Sequence, residues 1–243
     1  ADIVIYGGAA GGGKSYGLLL DPLRYINRKD FRANIFRRTT KQVRNPGGLW
    51  DDSKKIYYYL RGKPKETTLE WNFPSSMRIQ FNHIELESDV YNYQGSQMPY
   101  MGFDELTHFS EQQFFYMLSR NRSVTGSGGS VRATTNPDSK SWVKKFIQWW
   151  IDEKTGFAIP ERQGVIRYFV RVDEEIIWAD NIKDLEKYGV MPKSVTFIHA
   201  KIYDNKILLE KDPTYLSNLQ ALNRLDREQL LNANWHIEPS AGV

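Results

Sequence analysis

The sequence predicts an α/β fold in which a mostly parallel sheet is flanked by helices, followed by a small helical subdomain. Three observations support this prediction. The apolar run 3–6 leads into a glycine-rich loop and then a leucine-rich helical segment. Strand-like and helical segments alternate along most of the chain, which is typical of parallel sheets covered by helices. From Asp212 the pattern is helical, and we place the boundary between core (1–204) and helical subdomain (205–243) just upstream.

Composition sets broad limits on the function. With 243 residues and 40% hydrophobic content, the chain can bury one large core with at most a small satellite. The absence of cysteine excludes disulfides and thiolate zinc sites and fits a reducing, intracellular setting. The net charge of +4 permits contact with a polyanion without demonstrating it. The sequence contains neither a secretory signal nor an apolar run near the roughly 20 residues that span a bilayer, so we expect a soluble protein without a membrane partner.

The glycine-rich loop matches the phosphate-binding (Walker A) pattern of two glycines, a lysine and a hydroxyl at fixed spacing. Glycines let the backbone wrap around phosphate oxygens with its N–H groups pointing inward. Lys14 is expected to reach the β and γ phosphates, and the Ser15 hydroxyl to ligate Mg²⁺. The sequence therefore predicts a nucleoside triphosphatase that binds its nucleotide through Gly8, Ala9, Ala10, Gly11, Gly12, Gly13, Lys14 and Ser15.

The following elements are predicted in order along the chain. Asp21-Pro22 should kink or shorten the helix after the loop. A strand over 33–37, a helix ending near Leu60 and a hairpin of strands 67–72 and 77–81 come next. Each is bounded by residues typical of turns.

The second half continues the alternation. An apolar strand at 100–103 precedes a helix over 110–119, for which Ser110 and Gln113 form a capping box. The Gly/Ser-rich segment 123–130 is expected to be mobile. Further strands are predicted at 131–135, 165–172 and 195–203, the first of them ended by an Asn-Pro pair.

Asp104 and Glu105 follow the strand at 100–103. Because ligands bind at the carboxyl ends of parallel strands, these carboxylates are expected at the phosphate loop. Asp104 would hold Mg²⁺, and Glu105 would activate the attacking water as general base (a Walker B pair).

Thr134, Thr135 and Asn136 close the strand at 131–135. Their hydroxyl and amide groups could contact the γ phosphate or the lytic water. The spacing equally fits a plain exit from strand to turn, and both interpretations stay open on the residues alone.

Taken together, four motifs resemble the ATPase domain of the large terminase subunit of tailed bacteriophages. They are the loop 7–15, the segments 103–106 and 133–137, and the late run 200–205. The resemblance implies a P-loop NTPase fold of the ASCE type and an Mg²⁺-dependent ATPase that drives double-stranded DNA into a procapsid. It also implies a portal protein and a small terminase subunit as partners, and a homo-oligomeric ring when active, with a monomer possible in isolation. The implied location is the host cytoplasm, with transient attachment to the procapsid.

The resemblance also bears on individual residues. In the family the threonine-rich segment couples hydrolysis to movement, which supports functional roles for Thr134, Thr135 and Asn136, with Thr135 and Asn136 as the catalytic candidates. Members carry an arginine in the phosphate loop or shortly before the Asp-Glu strand, and this chain has none at either place. Arg120 and Arg122 are therefore our candidates for an arginine presented to a neighbouring subunit. A solvated helix end is the alternative for both.

Two family segments are expected to lie outside this chain. An adenine-contacting segment usually precedes the phosphate loop, and this chain starts too late to include it. A metal-dependent nuclease domain follows the ATPase domain, and this chain ends at Val243, where a linker would start. The acidic run 173–175 is expected to be a charged surface turn and not a substitute for the nuclease cluster.

Arg37, Arg38, Lys41 and Arg44 form the densest basic cluster. Nucleotide phosphates, the DNA backbone, an acidic partner face or solvent would each account for it. Two other functions also stay open beside the packaging motor. One is a helicase-like ATPase stimulated by nucleic acid, and the other is a nucleotide-gated ring-assembly module with little hydrolysis.

Overall fold

A computed structural model describes residues 1–122 and 129–237. Most of the predicted mobile segment, at 123–128, and the last residues of the predicted helical subdomain lie outside this range. The strands are β1 (Ile3–Gly8), β2 (Arg32–Arg37), β3 (Lys63–Lys65), β4 (Glu70–Asn72), β5 (Arg78–His83), β6 (Tyr100–Phe103), β7 (Ser130–Thr135), β8 (Arg167–Val172), β9 (Glu175–Ala179) and β10 (Lys193–Ala200). The helices are α1 (Lys14–Leu20), α2 (Thr40–Arg44), α3 (Leu49–Tyr57), α4 (Glu111–Leu118), α5 (Trp142–Phe146), α6 (Lys206–Lys211), α7 (Pro213–Gln220) and α8 (Arg224–Leu230).

The chain divides into two compact units. The first unit combines Ala1–Gly13 with Thr135–Val243, and the second unit is Lys14–Thr134. The division falls inside the predicted phosphate loop and inside the threonine-rich segment.

In the second unit the strands follow the order β3-β4-β5-β2-β6-β7. The pairs β5–β2, β2–β6 and β6–β7 are parallel, and β3 and β4 add an antiparallel edge. One face of this sheet carries Ile35 and Ile79, which are fully buried in a core with Trp50 of α3 and Leu18 of α1. Because β6 is flanked by parallel strands on both sides, its carboxyl end lies beside those of β2 and β7.

In the first unit β1 pairs in parallel with β10, and β8 and β9 follow antiparallel. Asp173 and Glu174 link β8 to β9 with φ of 49° and 67°, as in the tight turns that match the twist of hairpin strands. The acidic run thus forms an exposed turn, as expected, with Glu175 already opening β9.

The carboxyl-terminal helices of the first unit pack against the loop that follows β1. Ala9 is buried in a cluster with Ile202 and Leu219, joined by partly buried side chains of α6–α8. The Ala10 amide also donates a hydrogen bond of 2.7 Å to the Leu230 carbonyl. These helices therefore stabilise the loop through packing and one main-chain hydrogen bond.

The predicted α/β architecture, with a mostly parallel sheet, flanking helices and a carboxyl-terminal helical part, is confirmed. As predicted, α1 ends at Leu20, directly before the Asp21-Pro22 pair. The pattern did not indicate β3, β9 or α2. All three are short elements of three to five residues, too short for a periodic signal.

Candidate functional site

The glycine loop is built on backbone conformations that other residues rarely adopt. Gly8, Gly11 and Gly13 have φ of 144°, 72° and 76°, where a side chain is unfavourable. A Cβ on Gly8 would also lie 2.3 Å from the carbonyl oxygen of Ala200. These positions therefore require glycine for a steric reason, independently of any ligand.

Two side chains donate hydrogen bonds to carbonyl groups of this loop. The Asn205 Nδ2 donates to the Gly11 carbonyl at 2.8 Å. The Tyr6 hydroxyl donates to the Gly12 carbonyl at 3.0 Å. The loop therefore has a side-chain partner at two consecutive peptide groups.

Asp104 lies at the centre of the polar cluster in the second unit. It directly follows β6, and its side chain is almost fully buried. Its Oδ1 accepts hydrogen bonds from the Ser15 hydroxyl at 3.1 Å and from the Thr134 hydroxyl at 2.6 Å. The structure thus brings together Ser15 and Asp104, the two residues predicted to hold the metal.

Arg37 completes this cluster, and the sequence did not indicate its place there. Its Nη1 forms an ion pair with the Asp104 Oδ2. The register of β2 against β6 explains this ion pair. Phe36 lies opposite Phe103, so the residues that follow them, Arg37 and Asp104, are also neighbours. The neighbourhood of these two strands cannot be derived from local patterns. The only signal in the sequence was a basic residue at the end of a predicted strand.

Glu105 has a left-handed backbone with φ of 58°. Burial raises the pKa of its carboxyl above the ordinary 4.5, and the charge of Asp104 raises it further. Arg37, Lys14 and His108 lower it and oppose these effects. The result is a half-buried carboxyl that accepts a proton more readily than a free glutamate.

Lys14 opens α1 and is 7% exposed. Burial lowers the pKa of its ammonium group, and the carboxylates of Glu105 and Asp104 oppose this shift. Lys14 is thus a buried cation that interacts electrostatically with both carboxylates, and its predicted role toward the β and γ phosphates stays a prediction.

The threonine-rich segment is divided between the two units. In the second unit, the Thr134 hydroxyl accepts a hydrogen bond from the Glu105 amide at 3.0 Å in addition to its bond to Asp104. In the first unit, the Thr135 hydroxyl donates to the Asn136 carbonyl at 2.9 Å. A Cβ on Gly7 of β1 would lie 2.6 Å from the Thr135 methyl group. The catalytic roles assigned to Thr135 and Asn136 stay predictions.

The two candidate trans arginines lie after α4. The Arg120 guanidinium lies over the Tyr116 ring at 5.5 Å, and its Nε donates to the Ser119 hydroxyl at 3.0 Å. Arg122 is exposed. Their predicted role toward a neighbouring subunit stays a prediction.

The structure disperses the predicted basic cluster. While Arg37 binds Asp104, Arg38 donates to the Gln113 side chain at 3.2 Å and Arg44 to the Glu66 carbonyl at 2.7 Å. Lys41 is exposed. Three of these four residues thus have different hydrogen-bond partners within the same unit.

Within residues 1–122 and 129–237, no group of three or more His, Cys, Asp or Glu side chains could hold a metal. Ser15 and Asp104 supply one hydroxyl and one carboxylate. Magnesium is commonly held by one or two protein carboxylates, with waters and substrate phosphates as the other ligands. This pair fits that mode of binding.

The family model described as "Terminase large subunit, T4likevirus-type, N-terminal" matches residues 5–242. No curated protein sequence matches the chain. In the part of the chain that the structure describes, no helix combines the length and apolar character needed to cross a membrane.

Several solved structures share the fold. The large terminase of a thermophilic bacteriophage superposes with a TM-score of 0.62 at 14% identity, over 96% of this chain and 48% of that chain. The same phage protein in complex with ATP-γ-S gives 0.61 at 13% identity, over 96% and 47%. The large terminase ATPase domain of a Thermus phage gives 0.55 at 13% identity, over 96% and 88%. This chain thus spans about half the length of the first two relatives.

Proposed function

Since the chain belongs to the family of T4likevirus-type terminase large subunits, of which it covers the N-terminal region, we propose that it is an ATPase motor domain. In this proposal, Mg²⁺-dependent hydrolysis of ATP drives double-stranded DNA into a procapsid. The observation that supports it best is the convergence of Lys14, Ser15, Asp104 and Glu105 within one compact unit.

The residues divide the chemistry between them. The amides of the loop 8–13 bind phosphate oxygens, and Lys14 neutralises the β and γ phosphates. Ser15 and Asp104 hold Mg²⁺, which when bound offsets the charge that develops on the transferred phosphoryl group. Asp104 is already oriented for this role by the Thr134 hydroxyl.

Glu105 orients the attacking water and accepts its proton. A raised pKa improves this role, because a base works best when its pKa approaches the operating pH. The bond from the Glu105 amide to Thr134 fixes the main chain from which the carboxyl projects. In the absence of nucleotide, the positive charge of Arg37 reduces the repulsion between the carboxylates of Asp104 and Glu105.

The finer parts of the proposal follow the family resemblance. Thr135 and Asn136 sense the γ phosphate and couple its loss to movement. Arg120 or Arg122 of a neighbouring subunit in a ring stabilises the transition state. The partners are double-stranded DNA, a portal protein and a small terminase subunit, and the protein acts in the host cytoplasm at the procapsid.

The test compares the wild-type chain with Lys14→Ala, Glu105→Gln and the exposed control Glu186→Gln. Calorimetry measures ATP affinity with Mg²⁺, and phosphate release measures turnover with and without DNA, in samples whose oligomeric state is determined by ultracentrifugation. We expect Lys14→Ala to weaken binding at least about tenfold, since it removes a charge-assisted contact. Glu105→Gln should keep binding and lose about 10²–10⁴ in turnover.

Three outcomes would contradict parts of this proposal. Failure of the wild-type chain to bind ATP would overturn it. Full turnover by Glu105→Gln would remove the role of the base. Tight binding without turnover in every oligomeric state would favour the ring-assembly module over the motor.

A further inference from the structure

Asn205 and Tyr6 bind carbonyl groups of the phosphate loop at neighbouring peptide groups. Asn205 binds the carbonyl of the Gly11–Gly12 peptide, and Tyr6 binds the carbonyl of the Gly12–Gly13 peptide. Both side chains belong to the same unit as the loop.

Because of peptide geometry, a hydrogen bond to a loop carbonyl also determines the direction of the N–H group in the same peptide. In a planar trans peptide the C=O and N–H groups point in opposite directions. A side chain that pulls a carbonyl outward therefore directs the following N–H inward. Asn205 sets the direction of the Gly12 amide in this way, and Tyr6 sets that of the Gly13 amide.

Glycine makes such restraint necessary. Its backbone rotates freely between regions that other residues avoid, so peptide groups flanked by glycines reorient at small energetic cost. Residues 11–13 are three consecutive glycines. An anion-binding loop with this sequence gains affinity from any contact that orders its amides before the ligand arrives.

Asn205 is itself fixed by a second bond. Its Oδ1 accepts from the Leu208 amide at 3.2 Å and caps α6. Leu208 and Tyr215 also pack closely on the loop, since a Cβ on Gly11 would lie 2.6 Å from the Tyr215 ring and 3.0 Å from Leu208. The amide group of Asn205 is thus held on both sides.

Tyr6 is a dependable donor. Partial burial raises the pKa of its hydroxyl above 10.0, and the charge of Asp204 raises it further. The hydroxyl therefore keeps its proton throughout the neutral range.

We propose that Asn205 and Tyr6 are positioning residues that preorganise the Gly12 and Gly13 amides for the phosphates of the nucleotide. This inference rests on the proposed function. It assigns part of the affinity for nucleotide to two side chains outside the loop motif, one of them on the helical side of the unit.

The test uses two substitutions that remove the hydrogen bond to the loop with little other change. Tyr6→Phe deletes one hydroxyl. Asn205→Ser keeps an oxygen that can cap α6, because serine is a good N-cap residue, and removes the group that reaches Gly11. Matched controls make the same types of substitution at positions that do not contact the phosphate loop. Tyr93→Phe loses a hydroxyl that donates to the His83 carbonyl at 3.1 Å, and Asn181→Ser changes a cap whose acceptor binds the Lys183 amide.

ATP affinity with Mg²⁺, KM, kcat and the nucleotide-free melting temperature are measured for all five proteins. We expect Tyr6→Phe and Asn205→Ser each to raise Kd and KM for ATP about tenfold, the factor that corresponds to one hydrogen bond. The kcat should stay within about twofold, because ground state and transition state lose the same contact. Both controls should bind ATP as the wild type does.

Each outcome has one meaning. Failure of the wild type to bind ATP contradicts the proposed function and not this inference alone. Unchanged affinity in both variants, with the wild type binding, overturns the inference. An affinity loss that is matched in the controls, or that follows a fall in melting temperature, assigns the two residues a purely structural role and also overturns it.

Discussion

The phosphate loop and the acidic cluster are held in place by different means. The loop depends on main-chain geometry, with glycines at positive φ and carbonyls bound by Asn205 and Tyr6. The cluster around Asp104 depends on buried side chains and a balance of charge. Both regions depend on hydrogen bonds, but the loop is in addition sensitive to added volume, whereas the cluster is in addition sensitive to the loss of buried charge.

Gly8→Ala should have the largest effect and tests the backbone-built region. The new Cβ meets a main-chain oxygen at 2.3 Å and takes an unfavourable φ. We expect the free energy of unfolding to fall by about 3–4 kcal/mol, measured by urea denaturation. Gly164→Ala is the matched control, because its φ is 76° and nothing lies within 4 Å of the added Cβ. A similar loss in both variants would attribute the effect to φ and not to the contact.

Arg37→Ala tests the charge balance of the other region. It removes the cation from Asp104, which is almost fully buried. We expect the free energy of unfolding, measured without metal, to fall by about 3 kcal/mol, near the lower end for breaking a buried ion pair. The loss stays near this end because the hydrogen bonds from the two hydroxyls partly satisfy the carboxylate. Arg38→Ala, which loses a contact to the neutral Gln113, should cost less. Equal losses would show that the charge of Asp104 needs no counter-ion.

Thr134→Val should have a smaller effect, which sharpens the comparison further. It keeps the shape but removes a hydroxyl that donates to Asp104 and accepts from the Glu105 amide. We expect the free energy of unfolding to fall by about 2 kcal/mol and ATP turnover to be slower. Thr134→Ser keeps the hydroxyl and should recover most of the turnover. If Thr134→Val kept full turnover and Thr134→Ser lost it, the methyl group would matter for turnover and the hydrogen bonds would not.

The smallest effect is a pH dependence confined to the acidic cluster. Because the pKa of Glu105 is raised in the folded protein, the group favours folding while it is protonated. This contribution is complete below about pH 4.5 and is lost as the pH rises through the raised folded pKa. Melting temperatures of the nucleotide-free wild type should therefore fall relative to Glu105→Gln over this window. A constant difference between the two proteins across the window would show that the pKa is not raised, and Glu186→Gln serves as control.

Local patterns were sufficient for the motifs and for most of the elements. The glycine loop, the strand before Asp104 and the capped helix after Ser110 each carry their signal within a few residues. The place of Arg37 could not be predicted in this way, because it depends on which strands are neighbours. The supports from Asn205 and Tyr6 were equally inaccessible, since Asn205 lies 194 positions from the glycine it binds.

The left-handed backbone of Glu105 has an evolutionary consequence. A glutamate at φ of 58° carries a conformational cost of about 1–2 kcal/mol that glycine would avoid. Selection for stability alone would therefore replace this residue. A Glu105→Gly protein that is inactive yet melts no lower than the wild type would mark this position as one where thermal robustness has been given up for activity.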